Sequence, residues 1–225
     1  MANTVPVNSL IPPKSPNLAI SPVEYSRGYQ DQLNSILRLY FNQLDDTFRT
    51  LLNTSAGAGG GKYIRFPYGA FQDTTTQTAT ANTATVMTFN TTDYVSGVSV
   101  VTSGGKASRI TVAQTGLYNL QWSGQFQNTD TQLHDVSVWL RVNGSDQIGS
   151  TGLASIPNSH GGVNGHTIVG WNFFLQLNVN DYVELYWSTD DVKVTLQAYG
   201  SGSLPTRPST ASLVATLSFV SGLIA

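Results

Sequence analysis

Three histidines, His134, His160 and His166, are the imidazoles of this chain, and the last two bracket its most unusual stretch. That stretch runs Ser155-Ile156-Pro157-Asn158-Ser159-His160-Gly161-Gly162-Val163-Asn164-Gly165-His166. Long, polar, Gly-rich loops on a rigid β scaffold commonly carry binding. His160, Asn164 and His166 are therefore candidate ligand contacts. The same loop could equally cover a neighbouring subunit. No His-x-x-x-His spacing suited to a metal occurs, so no metal site is expected. The exception would be one that a symmetric trimer builds from three copies of a single His or Asp. Asp190-Asp191 are adjacent, so on a strand they would face opposite ways. A turn is expected there rather than an acid/base pair or a calcium site.

Other chemical motifs fail on position. Gly57-Ala58-Gly59-Gly60-Gly61-Lys62 invites a phosphate-loop reading. Tyr63 stands where a Ser or Thr must hold magnesium, Ala56 replaces the first Gly, and no strand precedes the run. It reads as a linker. Ser123, in Gln121-Trp122-Ser123-Gly124-Gln125, lacks the flanking glycines of a nucleophile elbow. The sequons at Asn53, Asn90 and Asn143 are chance matches in an Asn/Thr-rich chain that shows no secretory leader. With no catalytic constellation and no cofactor motif, the expectation is a protein that is not an enzyme and needs no cofactor.

Composition narrows the partners. The chain has 225 residues, with 11 Lys+Arg, 13 Asp+Glu, no Cys and a net charge of -2. Only 11% of residues are charged, against roughly 25% in ordinary soluble domains. Hydroxyl and amide side chains fill the gap. Nothing indicates a nucleic-acid partner, a disulfide framework, a secretory leader or a membrane span. Residues 21–53 hold seven of the 24 charges.

Four segments would position these residues. Residues 1–20 carry Pro6, Pro12, Pro13 and Pro16, which forbid a regular helix, with Val5, Val7, Leu10, Ile11, Leu18 and Ile20 between them. Apolar spacing in a Pro-rich arm suits a strand that docks on another protein; a solvated tail is the alternative. Residues 21–53 read as an amphipathic helix. Ser21-Pro22-Val23-Glu24 combines a cap, a first-turn Pro and a capping box. Leu37, Leu44 and Leu51 recur every seven residues, as do Leu33 and Tyr40, with Phe41 and Phe48 in a third row. Such rows predict packing between helices, here in a trimeric bundle. Packing on the chain's own domain is the other reading. Residues 54–62 form a Gly-rich joint.

Residues 63–225 alternate with period two, the pattern of half-buried antiparallel strands. Val136, Val138, Leu140 and Val142 share one parity, with Trp139 and Arg141 on the other. Phe173, Leu175, Leu177 and Val179; Val183, Leu185 and Trp187; Val192, Val194 and Leu196; and Leu213, Ala215, Leu217 and Phe219 repeat it. Gly104-Gly105, Asn143-Gly144, Asn164-Gly165 and Asn180-Asp181 predict turns. Roughly eight to ten strands in a sandwich or jelly roll would result. The Thr-rich run 74–92 predicts one strand within a long loop. Outward aromatics such as Trp139 and Tyr186 would serve a subunit interface or a ligand patch.

Three stretches carry a family resemblance. Arg109 to Leu120 gives a strand, a turn at Gly116 and Tyr118 entering the next strand. Val136 to Gly144 is a strand ending in a two-residue turn. Phe174 to Leu185 places Asn180-Asp181 where the family has Gly-Asp. With Ser212 to Val220 as the closing strand, residues 80–220 resemble the C1q/TNF-like jelly-roll family. That resemblance implies a tightly packed homotrimer. The whole chain also resembles small virion proteins of marine tailed bacteriophages, of the cyanophage and pelagiphage kind. Val23-Glu24-Tyr25-Ser26-Arg27 and Phe66-Pro67-Tyr68-Gly69-Ala70-Phe71-Gln72-Asp73 carry this likeness. It implies a virion structural protein made in the host bacterial cytoplasm, a fibre or capsid decoration, bound to a capsid or tail protein through residues 1–53. A head that recognises a host-surface glycan or protein is the alternative.

Overall fold

The computed structural model describes residues 14–18, 20, 22–52 and 66–222. The chain divides into two units, Met1–Arg65 and Phe66–Ala225.

The first unit contains α1 (Arg27–Leu52). Its start differs from the predicted one, because Pro22 to Ser26 are not helical. The cap is Ser26, not Ser21: its Oγ accepts the Tyr29 backbone N–H at 3.4 Å, while its carbonyl accepts the first helical bond, from Gln30, at 3.1 Å. A helix start needs one such acceptor for its orphan N–H groups. Ser26 supplies it, and Ser21 lies outside the described residues. Tyr29, Leu33, Ile36, Leu37, Tyr40 and Leu44 form one half-buried stripe. Phe41 stands outside it and is exposed, its ring 5.8 Å from that of Tyr40. The side chains of Phe48 and Leu51 lie outside the described residues. So do the anchoring candidates Val5, Val7, Leu10 and Ile11 and the joint 54–62. Leu18 and Ile20 are exposed and belong to no helix or strand.

The second unit is antiparallel β. In chain order its strands are β1 (Tyr68–Asp73), β2 (Gln77–Thr78), β3 (Thr85–Val86), β4 (Thr91–Ser96), β5 (Val98–Ser103), β6 (Lys106–Val112), β7 (Gly116–Asn128) and β8 (His134–Val142). Then come β9 (Ser145–Asp146), β10 (Gly152–Ile156), β11 (Gly165–Leu177), β12 (Tyr182–Thr189), β13 (Val194–Leu196), β14 (Gly202–Ser203), β15 (Thr206–Arg207) and β16 (Leu213–Ser221). In the first sheet β11, β7, β16, β1 and β4 lie side by side, and β13, with β2, continues along β7 past the end of β16. The second sheet runs β10, β8, β12, β6, β5, with β9 and β3 as short additions. The β14–β15 hairpin stands apart.

The period-two pattern places the core between the sheets. Phe71, Tyr118, Leu120, Trp122 and Leu217 of the first sheet meet Ile110, Val138, Leu140, Leu185 and Trp187 of the second in one buried cluster. The rings of Phe126 and Trp187 lie 5.5 Å apart across the sandwich. Val179 and Val192, predicted to face inward, are instead exposed, because each falls in a connection and not in a strand. Tyr118, just after the turn Gly116, is buried, and its hydroxyl donates back to the Gln114 carbonyl at 2.7 Å. Burial pushes its phenol up to about 12.

Turns at Asn143-Gly144 and at Asn180 form as predicted, with φ of 49°, 82° and 69°. The one predicted at Asn164-Gly165 does not. The chain reverses at Gly161-Gly162, whose φ values of 59° and 80° favour glycine, and Gly165 already opens β11. The Thr-rich run holds β2, β3 and the start of β4 instead of a single strand. Buried Asp73 organises it: one carboxylate oxygen accepts the N–H and hydroxyl of Thr75 at 2.8 and 2.5 Å, the other the Thr88 hydroxyl at 3.0 Å.

Replacing Leu120, buried in the middle of β7, by Ala is expected to cost roughly 2–5 kcal/mol. A urea titration followed by far-UV circular dichroism checks this.

Candidate functional site

The long loop contracts once folded. Ser155 and Ile156 end β10, and Gly165 and His166 begin β11. Between them His160 and Val163 exchange backbone bonds at 2.9 and 3.0 Å, closing a tight exposed turn. Asn164 is half-buried beside it. His166 faces elsewhere, onto the outer surface of the first sheet, where its Nδ1 shares a hydrogen bond with the Tyr199 hydroxyl at 3.0 Å. The predicted trio is therefore split: His160 marks a turn, and His166 stands two residues before Ile168, which floors a cleft that the sequence did not indicate.

That outer surface is unusual. Leu117, Asn119, Gln121, Ser123 and Gln125 of β7 stand on it, with Val214, Thr216, Ser218 and Val220 of β16 and His166, Ile168, Asn172, Phe174 and Gln176 of β11. None is Asp, Glu, Lys or Arg. Ile168 is 72% exposed and Phe174 63%. At the Ile168 end, residues 207–211 rise above the sheet and make a cleft of about 470 Å³, floored by Gln72, Ser123, Gln125, Ile168 and Val214. That size suits a small ligand.

The roof of the cleft is pinned at several points. Tyr199 and Thr210 exchange backbone bonds at 3.0 and 2.8 Å. Ser212 donates its N–H to the Asp73 carbonyl at 2.8 Å and accepts the Gln125 N–H at 2.8 Å. Arg207 pairs with Gly202 in the β14–β15 hairpin. Its side chain passes across Gly202, so close that a Cβ there would lie 2.8 Å from Cγ and Nε. Arg207 is the charged residue lining the cleft, and among the described residues no carboxylate pairs with it. Burial raises the Tyr199 phenol above its ordinary value, opposed by the charge of Arg207.

A second cluster gathers where β7, β8 and β12 end. His134 Nε2 lies 3.1 Å from Asp130 Oδ2, and Nδ1 lies 3.1 Å from Asp190 Oδ1. Asp191 stands 4.0 Å from Nε2, and Lys193 Nζ donates to Asp130 Oδ1 at 3.0 Å. Asp190 and Asp191 occupy a turn, as the sequence predicted. Asp130, His134 and Asp191 place ligand atoms within 4.8 Å of one another, a geometry that could hold a metal. A cation would there compete with His134 and Lys193, already seated on the carboxylates. The hydrogen bond to Asp130, helped by Asp190, raises the His134 value against a burial cost. His134 and then Lys193 hold the Asp130 carboxyl far below the usual carboxylate range.

The outer face of the second sheet carries two arginines, and both are paired. Trp139 Nε1 and Arg141 Nε both donate to Asp146 Oδ1 at 2.8 Å. Arg141 also lies over the Tyr186 ring, 4.0 Å from its centroid, and Trp139 stacks on Tyr186 at 5.9 Å. Arg141 chiefly, then Trp139, lowers the Asp146 value. Arg109 covers Tyr182 at 4.2 Å and reaches Glu184 at 3.4 Å. These outward aromatics are thus engaged with one another. Arg207, Tyr199, Asp130 and Asp146 were missed as site residues. For Arg207 the available signal was its place between Pro205 and Pro208, which marks a shaped turn.

Because the His134 value is raised, its clamp contributes fully below the ordinary imidazole range and fades as pH rises through the folded value. Because the Asp130 value is lowered, its contribution is present above the ordinary carboxylate range and fades as pH falls. His134→Gln should therefore cost more stability near pH ~5.5 than near pH ~9, either side of the imidazole range. Urea midpoints at both values check this, and an equal cost at both would deny the clamp. No family model matches the chain, and none of the curated proteins is similar to it.

Proposed function

We propose that this chain is a structural protein of a virion, a trimeric fibre or capsid-decoration protein that acts by assembly and not by turnover. Its N-terminal arm and helix would anchor it to a capsid or tail protein, and the β unit would project as a jelly-roll head. The observation that carries the assembly reading is the outer face of the first sheet. Across β7, β16 and β11 it carries no charged side chain, and it leaves Phe174 and Val220 uncovered. Burying such a face against sister heads strands no unpaired ion and gains ~25 cal/mol per Å² of apolar surface. The strand order supports the jelly roll. First and last strands, β1 and β16, are neighbours, and the chain passes repeatedly from one sheet to the other, as two Greek keys require. The half-buried stripe on α1 supports a bundle of helices. The virion assignment itself rests on the two sequence stretches that resemble phage virion proteins. Three docking arms on one particle would raise effective affinity by ~10²–10⁴.

A second reading is favoured by one feature, the cleft between residues 207–211 and the first sheet. A head with such a recess could recognise a host-surface glycan or protein while still being a virion component.

Light scattering on the purified protein should give a trimer, and a monomer at micromolar concentration would overturn the assembly reading. Phe174→Glu, which puts charge on the bare face, should shift the mass toward monomer while circular dichroism stays unchanged. Deleting residues 1–20 should leave a folded trimer that no longer joins the particle; continued incorporation would place the anchor elsewhere.

A further inference from the structure

We infer that the cleft between residues 207–211 and the first sheet binds a saccharide bearing a single carboxylate, a uronate residue of a glycan. This deepens the receptor-binding reading by naming a ligand class and does not depend on the trimer. Three properties of the cleft point the same way.

The first is charge. Arg207 lines the cleft, no acid lines it, and no carboxylate pairs with the guanidinium among the described residues. A guanidinium fork matches one carboxylate in two parallel hydrogen bonds. A phosphate monoester dianion would bring a second charge that nothing else in the lining balances. Asp93, just outside, is occupied in accepting the Gln72 side-chain N–H at 2.7 Å.

The second is the polar remainder. Ser123, Gln125, Ser209 and Thr210 offer hydroxyls and an amide, groups that both donate and accept. Sugar hydroxyls have the same dual character, so neutral donors and acceptors spread over the floor and roof suit a ring of hydroxyls. They would be a poor match for a purely apolar ligand. The third is the apolar part of the floor. Ile168 and Val214 present aliphatic surface between the polar groups, which fits the C–H face of a pyranose.

Preorganisation adds to this. The Arg207 backbone is held by strand pairing with Gly202 within its hairpin. The roof is tied to Tyr199 and, through Ser212, to β1 and β7. Less ordering entropy is then lost when a ligand enters.

The test uses the full-length protein and saturation-transfer NMR with methyl glucuronide, its methyl ester, methyl glucoside and inorganic phosphate. The glucuronide should bind on the order of tenfold more tightly than the ester or the glucoside, as a charge-assisted pair implies, and phosphate should not displace it. Arg207→Gln should abolish the difference. Ile168→Glu, which sets a carboxylate in the cleft, should abolish binding. Lys106→Gln, on the second sheet, should leave it unchanged. Circular dichroism shows that each variant is folded, and Ile168→Glu keeps the test decisive should Arg207→Gln fail to fold. Equal binding of acid and ester, displacement by phosphate, or binding unaffected by both cleft variants would overturn the inference. A glycan array separates the two readings. Capture by neutral glycans alone overturns the uronate assignment and leaves the receptor reading, whereas capture by none overturns both the uronate assignment and recognition of a glycan.

Discussion

Strand β7 is hydrogen-bonded along both edges, and most of the β unit takes its position from that. One edge pairs with β11 over its whole length, from Gly116 opposite Leu177 to Asn128 opposite Gly165. The other pairs first with β16 and then with β13. Such a strand fixes register on both sides, because a slip of one residue would turn every side chain to the wrong face. Its inward residues, Tyr118, Leu120, Trp122 and Phe126, fill the middle of the sandwich. Its outward residues, Ser123 and Gln125, floor the cleft. Core and recess are two sides of one ladder.

The scarcity of charge is organised. On the second sheet the two outward arginines are paired, Arg141 with Asp146 and Arg109 with Glu184. Aromatic rings lie beneath the guanidinium groups. At the end of β8, His134 and Lys193 share three aspartates. On the first sheet the strands β7, β16 and β11 carry no outward charge at all. The two faces differ in what they can do with water. One holds its arginines in pairs that need no neighbour. The other exposes amides, hydroxyls and hydrocarbon, groups that cost little to cover.

What the sequence disclosed follows from range. Period-two alternation is local, so the inward set Val136, Val138 and Leu140, or Val183, Leu185 and Trp187, could be read directly. Turns carrying Asn at positive φ were equally legible. The helix start misled because Ser21-Pro22-Val23-Glu24 satisfies every local rule, yet Ser26 also caps and lies closer to the stripe. The loop 155–166 looked longer than it is because Gly161-Gly162 makes the reversal that Asn164-Gly165 seemed to announce. The site residues were hidden for a different reason. Tyr199 meets His166, Asp190 meets His134 and Glu184 meets Ser108. Each pair is brought together by sheet pairing between distant segments, and no short window of sequence contains it.

Strand β11 leaves one further mark on the molecule. Among the described residues it pairs with β7 alone, so one of its edges offers a row of unclaimed backbone N–H and C=O groups. Trp171, on the side of β11 turned toward the sandwich, is still 46% exposed, and no lysine, proline or bulge interrupts the strand. An open edge of that length is a template on which a second chain can add its own strand. The same straight pairing that makes β7 a good spine makes its neighbour a hazard whenever copies of the chain are crowded during synthesis, which sets a premium on covering this edge soon after folding.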